Sequence, residues 1–334
     1  APCIALCAEL PSGCVDVSCR ASASWHALPL RLSWGCRDRM RCAACAAAPP
    51  LVQLALLLAC LPSGESKEGD RDDGASGEDE AGTCPSMPPD APLQTLCDPK
   101  TFTALVYTPN RSSARSAPPW PLLLYLHGRG QSGDDVMKTL GLPATGSPPA
   151  ELYNRRARAE LSENFAMVAP QTNRGWRTSE VADFLDFVLD AGRRSPELQI
   201  DPSRVYIAGH SIGGTAALAA ASSLRTRDGR HRFAACVPVA AAGRFQAYGG
   251  LRGVPVWLHH GANDVVAPVE ASDEAAAILQ RINGDRDIVK YSRYEQAPTA
   301  PGRSEETHGG HSSIIPAFSN PDLYLWLLKF RAPE

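Results

Sequence analysis

Arg204-Val205-Tyr206-Ile207-Ala208-Gly209-His210-Ser211-Ile212-Gly213-Gly214 places a serine between two glycines at the exit of an apolar run. Val205 to Ala208 reads as a buried parallel strand, and Thr215 to Leu224 as a helix whose alanines allow close packing on a sheet. A serine on a strained strand-to-helix turn needs those glycines, because side chains two positions to either side would collide with the crossing backbone. This is the nucleophile-elbow pattern.

A serine hydroxyl attacks poorly until a base takes its proton and a third group orients that base. With an elbow of this kind the acid and the base follow the serine, on loops beyond later strands. Val254 to His260 is an apolar strand running into a loop that carries Asp264, which makes Asp264 the candidate acid; a solvated loop aspartate is the alternative. Ile288 to Glu295 alternates as a half-buried strand, and His308 and His311 follow it. His311 is preferred as the base, because Gly309-Gly310 before it permits a tight approach and a helix from Pro321 to Phe330 follows at an ordinary loop distance.

Acyl chemistry also needs donors for the developing oxyanion. Pro121 to Leu126 is apolar and runs into His127-Gly128-Arg129-Gly130, which fits an oxyanion loop after an early strand. The amide of Arg129 is the expected first donor, with Gly130 as the alternative, and the amide of Ile212 is its partner. The Arg129 guanidinium would face substrate or solvent. No Gly-Lys-Ser/Thr follows the loop, which argues against a nucleotide site.

With these segments in order, the chain resembles the alpha/beta-hydrolase superfamily, and within it the phospholipase/carboxylesterase and feruloyl-esterase-like group. The resemblance runs from about Leu93 to the C-terminus. It is carried by Leu126-His127-Gly128-x-Gly130, Gly209 to Gly214, His260-Gly261-Ala262-Asn263-Asp264 with Pro268, and Gly310-His311 ahead of Asn320 to Trp326. It implies an alpha/beta-hydrolase fold, a mostly parallel sheet covered by helices on both faces, and a catalytic triad of Ser211, Asp264 and His311. It also implies hydrolysis of carboxylic esters through an acyl-enzyme, on a small-molecule, lipid or carbohydrate ester. A peptidase or acyl thioesterase would use the same machinery, and a non-catalytic binding module on the same fold is the rival of a different class. Ile212 departs from the family pattern, since a β-branched residue there would narrow the acyl pocket.

Alternation of strands and helices from Thr103 onward independently argues a mostly parallel sheet. One helix is marked by Val181, Phe184, Leu185, Val188 and Leu189 on one face, with Ser179 as its expected N-cap and Gly192 as its stop. The Gly/Pro-containing stretch from Leu140 to Pro149 would border the acyl pocket as a lid or serve as a passive surface loop.

The 334 residues carry a formal net charge of -3, so the global balance gives no footprint of a nucleic-acid binder. The chemistry calls for no cofactor, and no metal-ligand spacing emerges, since Cys42-x-x-Cys45 lacks a second ligand pair. Four segments are expected: residues 1–39, an upstream extension, incomplete or mispredicted; 40–62, a signal peptide or lipoprotein leader; 63–92, a disordered acidic linker; and 93–334, the catalytic domain. Cys60 would be acylated in the lipoprotein reading, giving the membrane contact through a lipid anchor. Secretion is the expected destination, and a cytoplasmic chain follows if the leader is spurious. Export would let Cys84 pair with Cys97 and leave Cys236 as a buried thiol, and it would make Asn110-Arg111-Ser112 a usable glycosylation sequon in a eukaryotic secretory setting.

Overall fold

The computed structural model describes residues 84–332, except 113, 116, 244, 285 and 286. The expected leader, with Cys60, lies outside the described residues. Eight strands form one sheet in the order β1-β2-β4-β3-β5-β6-β7-β8. Strands β1 (Gln94–Cys97) and β2 (Thr103–Tyr107) pair antiparallel at one edge, and β2 pairs antiparallel with β4 (Ala166–Pro170). The remaining strands, β3 (Trp120–Leu126), β5 (Ile200–His210), β6 (Ala235–Val239), β7 (Val256–Gly261) and β8 (Val289–Tyr294), run parallel with β4.

Period-two alternation sorts the strand side chains into two cores. Leu122 and Leu124 on β3, with Val205 and Ile207 on β5, join a cluster on one face, whereas Leu123, Tyr125, Tyr206 and Ala208 join the cluster on the other. Parallel strands buried on both faces lack polar alternation, and β3 accordingly reads Trp-Pro-Leu-Leu-Leu-Tyr-Leu, buried throughout. The first face is covered by α3 (Thr178–Arg194), α4 (Ile212–Ser223) and α5 (Glu270–Asn283), through Phe184, Leu218 and Leu279 among others. The second is covered by α1 (Pro148–Tyr153), α2 (Ala159–Ser162), α7 (Ile314–Ser319) and α8 (Pro321–Leu327), through Leu152, Leu161, Phe318 and Tyr324. The short helix α6 (Glu305–His308) lies in the loop beyond β8.

The marked helix exists with its apolar face inward, but both expected ends shift. Its N-cap is Arg177 rather than Ser179, and it continues past Gly192 to Arg194. Gly192 is not a stop but a packing contact, because a Cβ there would lie 2.8 Å from the Leu198 carbonyl oxygen. At the other end of the chain's described part, residues 84–92 precede β1 and are joined to it by the Cys84–Cys97 disulfide, with Met87 packed on the second core. The described residues thus include 84–92 of the expected linker. Cys236 is buried and free.

Connections place the ends of β3, β5, β7 and β8 along one edge of the sheet. A crevice beyond the carboxyl ends of parallel strands is where such folds hold ligands.

Candidate active site

Ser211 follows the last residue of β5 and caps α4 with φ 57° and ψ -121°, a combination L residues rarely adopt. The surroundings explain why the sequence tolerates it. A Cβ on Gly209 would sit 2.2 Å from the Gly213 carbonyl oxygen, and one on Gly213 would sit 2.1 Å from the Leu126 carbonyl oxygen. The two glycines thus let β5, α4 and the end of β3 meet at one point, with the serine thrust outward.

His311 Nε2 lies 3.1 Å from Ser211 Oγ, and His311 Nδ1 lies 2.8 Å from Asp264 Oδ2. The three groups expected from the sequence are in hydrogen-bonded series. His311 is brought there by Gly310, whose φ of +72° and close approach to the Asn263 backbone, 2.4 Å from a would-be Cβ to its carbonyl oxygen, exclude a larger residue. His308 does not join the series; its Nδ1 meets Thr307 Oγ1 at 2.9 Å, although the residue borders the same cavity.

The Asp264 side chain is fully buried. Its Oδ1 accepts from the amides of Val266 and Ala267 at 2.8 and 2.9 Å, and its Oδ2 faces both His311 and His260, the latter at 3.3 Å. Burial alone would raise its pKa, yet the hydrogen bonds from His260, His311 and the Ala267 amide, with the pull of the His311 imidazole, hold the carboxyl well below the usual carboxylate range. It stays ionised, as a group stabilising an imidazolium must.

The peptide planes beside the serine decide which amides are open. The Ser211 carbonyl accepts from Gly214, Thr215 and Ala242, so in a planar trans peptide the Ile212 N–H points the opposite way. As the first residue of α4 it has no intrahelical partner. The Gly128 carbonyl likewise accepts from Gln131 at 3.1 Å and from His127 Nδ1 at 2.8 Å, which turns the Arg129 N–H away from that side. Arg129, Gly130 and Ile212 all line the cavity holding Ser211 and His311, a space of about 490 Å³. The amides of Arg129 and Gly130 both remain candidate donors beside that of Ile212. No residue of the 140–149 stretch lines this cavity, so it is not a lid over the described pocket; its residues fold into short turns of helix and the start of α1.

Three histidines that sequence reasoning did not assign support this centre. His127 accepts from the Thr172 amide through Nε2 at 3.1 Å, which leaves the proton on Nδ1 for Gly128; burial pushes its pKa down to about 4 against that bond. His210 Nε2 donates to the His311 carbonyl at 2.8 Å, and burial, with the adjacent His311, pushes its pKa down to about 3. His260 is held by Ser272 Oγ at 2.7 Å and the Ala267 carbonyl at 2.9 Å as well as by Asp264. Their signal was positional: His210 precedes Ser211, His127 opens the segment His127 to Gly130, and His260 sits four residues before Asp264. Alternation in β7 sends His259 to the opposite side, onto Trp257 and the Tyr294 hydroxyl. Among the described residues no group of histidine, cysteine, aspartate and glutamate could hold a metal ion, and no helix is long and apolar enough to cross a membrane.

No family model and no curated protein sequence matches the chain. Solved structures do. A thermostable esterase is 25% identical with a TM-score of 0.50, covering 72% of this chain and 63% of that one. A carboxylesterase from Lactobacillus plantarum is 14% identical with a TM-score of 0.50, covering 72% of this chain and 97% of that one. The chain thus spans less than two thirds of the thermostable esterase's length. Together with the strand order, these likenesses show the fold, which is that of the alpha/beta-hydrolase superfamily, as the sequence resemblance implied.

Proposed function

We propose that this alpha/beta-hydrolase is a serine carboxylic-ester hydrolase working through an acyl-enzyme. The observation that carries the reading is the series Ser211 Oγ, His311 imidazole and buried Asp264 carboxylate, at 3.1 and 2.8 Å, on a strained elbow. Ser211 Oγ attacks the ester carbonyl carbon while its proton passes to His311 Nε2, and Asp264 steadies the imidazolium through Nδ1. The negative charge on the former carbonyl oxygen is met by the amides of Ile212 and Arg129. Collapse breaks the carbon–oxygen bond of the leaving alcohol, which takes the proton from His311. Water then attacks the acyl-serine, gives a proton to His311, and returns Ser211 and the free acid.

The 25% identical esterase supports the choice of ester among acyl substrates, and the small-to-medium cavity suits a small ester. The Cys84–Cys97 disulfide supports a secretory destination, because such bonds persist in oxidising compartments. The reading is tested by turnover of p-nitrophenyl esters, acyl thioesters and peptide amides by one preparation of the full chain and by its Ser211→Ala variant. Serine-dependent hydrolysis of the esters is expected; amide cleavage alone would replace the reading with a peptidase.

A further inference from the structure

The cavity around Ser211 is lined by charged side chains of one sign. Arg129 and Arg303 stand on its wall with His308, and no aspartate or glutamate lines it. Asp264 lies behind His311, and Glu305 and Glu306, two and three residues after Arg303, are exposed and do not line the cavity. Both arginines are exposed residues on the wall of the cavity that holds Ser211, with no carboxylate on that wall, and arginines so placed are a recognition element for an anion.

Pairing elsewhere in the molecule sharpens the point. Among the described residues only Arg129, Arg227, Arg281 and Arg303 lack an ion pair or side-chain hydrogen bond, while the other described arginines engage carboxylates or backbone carbonyls. Two of these four border this one cavity. Their backbones are fixed. Arg303 closes a turn in which its N–H donates to the Ala300 carbonyl at 3.0 Å, with Pro301 and Gly302 at the corners and Gly302 at φ +78°. That is the type II arrangement, in which Pro301 presets φ at the first central position and Gly302 supplies the positive φ of the second. Arg129 opens the helical turn Arg129–Gln131, closed by the Ser132 amide on its carbonyl at 3.1 Å. Between them Ile212, Ala242, Val266 and Ala300 supply apolar wall for a hydrocarbon chain.

We propose that the site selects esters that also carry a carboxylate, held by Arg129 and Arg303 while the ester carbonyl meets Ser211. The proposal rests on the ester-hydrolase reading and adds the substrate class to it. Charge-assisted, bidentate contacts at two guanidinium groups would strengthen binding of the acidic ester over a neutral one of the same shape.

The test uses the full chain and two matched pairs of esters. Mono-4-nitrophenyl adipate is set against its terminal carboxamide, and 4-carboxyphenyl butyrate against 4-carbamoylphenyl butyrate, so that the charge sits on the acyl side in one pair and on the alcohol side in the other. Each kcat/KM is divided by the hydroxide-catalysed rate of the same ester. In at least one pair the acidic member is expected to lead by about tenfold at low ionic strength, the lead shrinking severalfold at about 0.5 M NaCl. Arg303→Gln is expected to bring that ratio near unity and Arg303→Lys to restore part of it. Ratios at or below unity in both pairs, or a ratio untouched by Arg303→Gln, would overturn the proposal while serine-dependent turnover of the carboxamides left the hydrolase reading standing. Turnover of none of these compounds, with Ser211 unlabelled by a phosphonate, would overturn both.

Discussion

His210 Nε2 donates to the carbonyl oxygen of His311 at 2.8 Å, so the residue before Ser211 holds the backbone of His311. The two rings lie 4.9 Å apart at a tilt of 44°. Ser211 and His311 come from segments about a hundred residues apart, and this bond, made from a buried neutral imidazole, joins them directly.

Removing that donor should loosen His311. His210→Phe is expected to lower kcat by roughly tenfold to a hundredfold with a smaller change in KM, because misplacing a reacting group by a fraction of an ångström is costly. His210→Gln, which keeps a donor, should retain more activity. Steady-state kinetics on the two variants decide it; equal losses would mean the ring matters only as filling.

His260 tests how Asp264 is held. With Ser272 on Nδ1 and both Ala267 and Asp264 on Nε2, His260→Ala leaves several buried polar groups short of a partner. We expect about 2–3 kcal/mol of lost stability by denaturant unfolding together with a fall in kcat. Ser272→Ala should be milder, since Nε2 keeps both its acceptors.

The elbow is tested by its glycines. Gly213→Ala would press a methyl group against backbone at 2.1 Å from the Leu126 carbonyl oxygen, which no side chain can relieve by rotating. A loss of about 3 kcal/mol or failure to fold is expected. Gly249→Ala, with nothing within 4 Å of the added atom, is the control and should unfold at the parent temperature within a few degrees.

Acid should destabilise the fold before ordinary carboxylates titrate. His127, His210 and His259 have folded-state pKa values pushed down to about 4, 3 and 3 by burial, below the unfolded histidine value of 6.5. As the pH falls below 6.5, the unfolded chain therefore binds protons that the folded one refuses. Each such histidine contributes a slope of up to about 1.4 kcal/mol per pH unit over that window. Asp264, held low, adds a loss in the same direction once the pH passes below the ordinary carboxylate range. Urea melts from pH 7 to pH 4.5 check this; stability flat across that range would contradict it.

Which parts were legible in the sequence follows from what each residue must do. Ser211, Asp264 and His311 sit at strand ends and next to glycines, so local pattern and chain order singled out three residues that the fold brings into one hydrogen-bonded series, which His308 does not join. The succession of strands and helices was legible because both faces of the sheet are buried, which makes a strand such as Trp120–Leu126 a short unbroken apolar run. His127, His210 and His260 were not, because their roles are set by carbonyls and amides from distant segments, such as Thr172 for His127 and His311 for His210. The helix ends at Ser179 and Gly192 were misplaced for a related reason: Gly192 answers to the carbonyl of Leu198 across a turn, which periodicity cannot see. The stretch from Leu140 to Pro149 has the composition of a lid, but composition does not say which cavity a loop borders.

The central claim is that Ser211 is the nucleophile. The most direct measurement is intact-mass and peptide mapping of the full chain after reaction with a fluorophosphonate, beside ester turnover of Ser211→Ala. A single adduct on Ser211, lost in the variant together with a fall in kcat of about 10³-fold or more, is the expected result. An adduct on a different serine, or turnover surviving in Ser211→Ala, would contradict it.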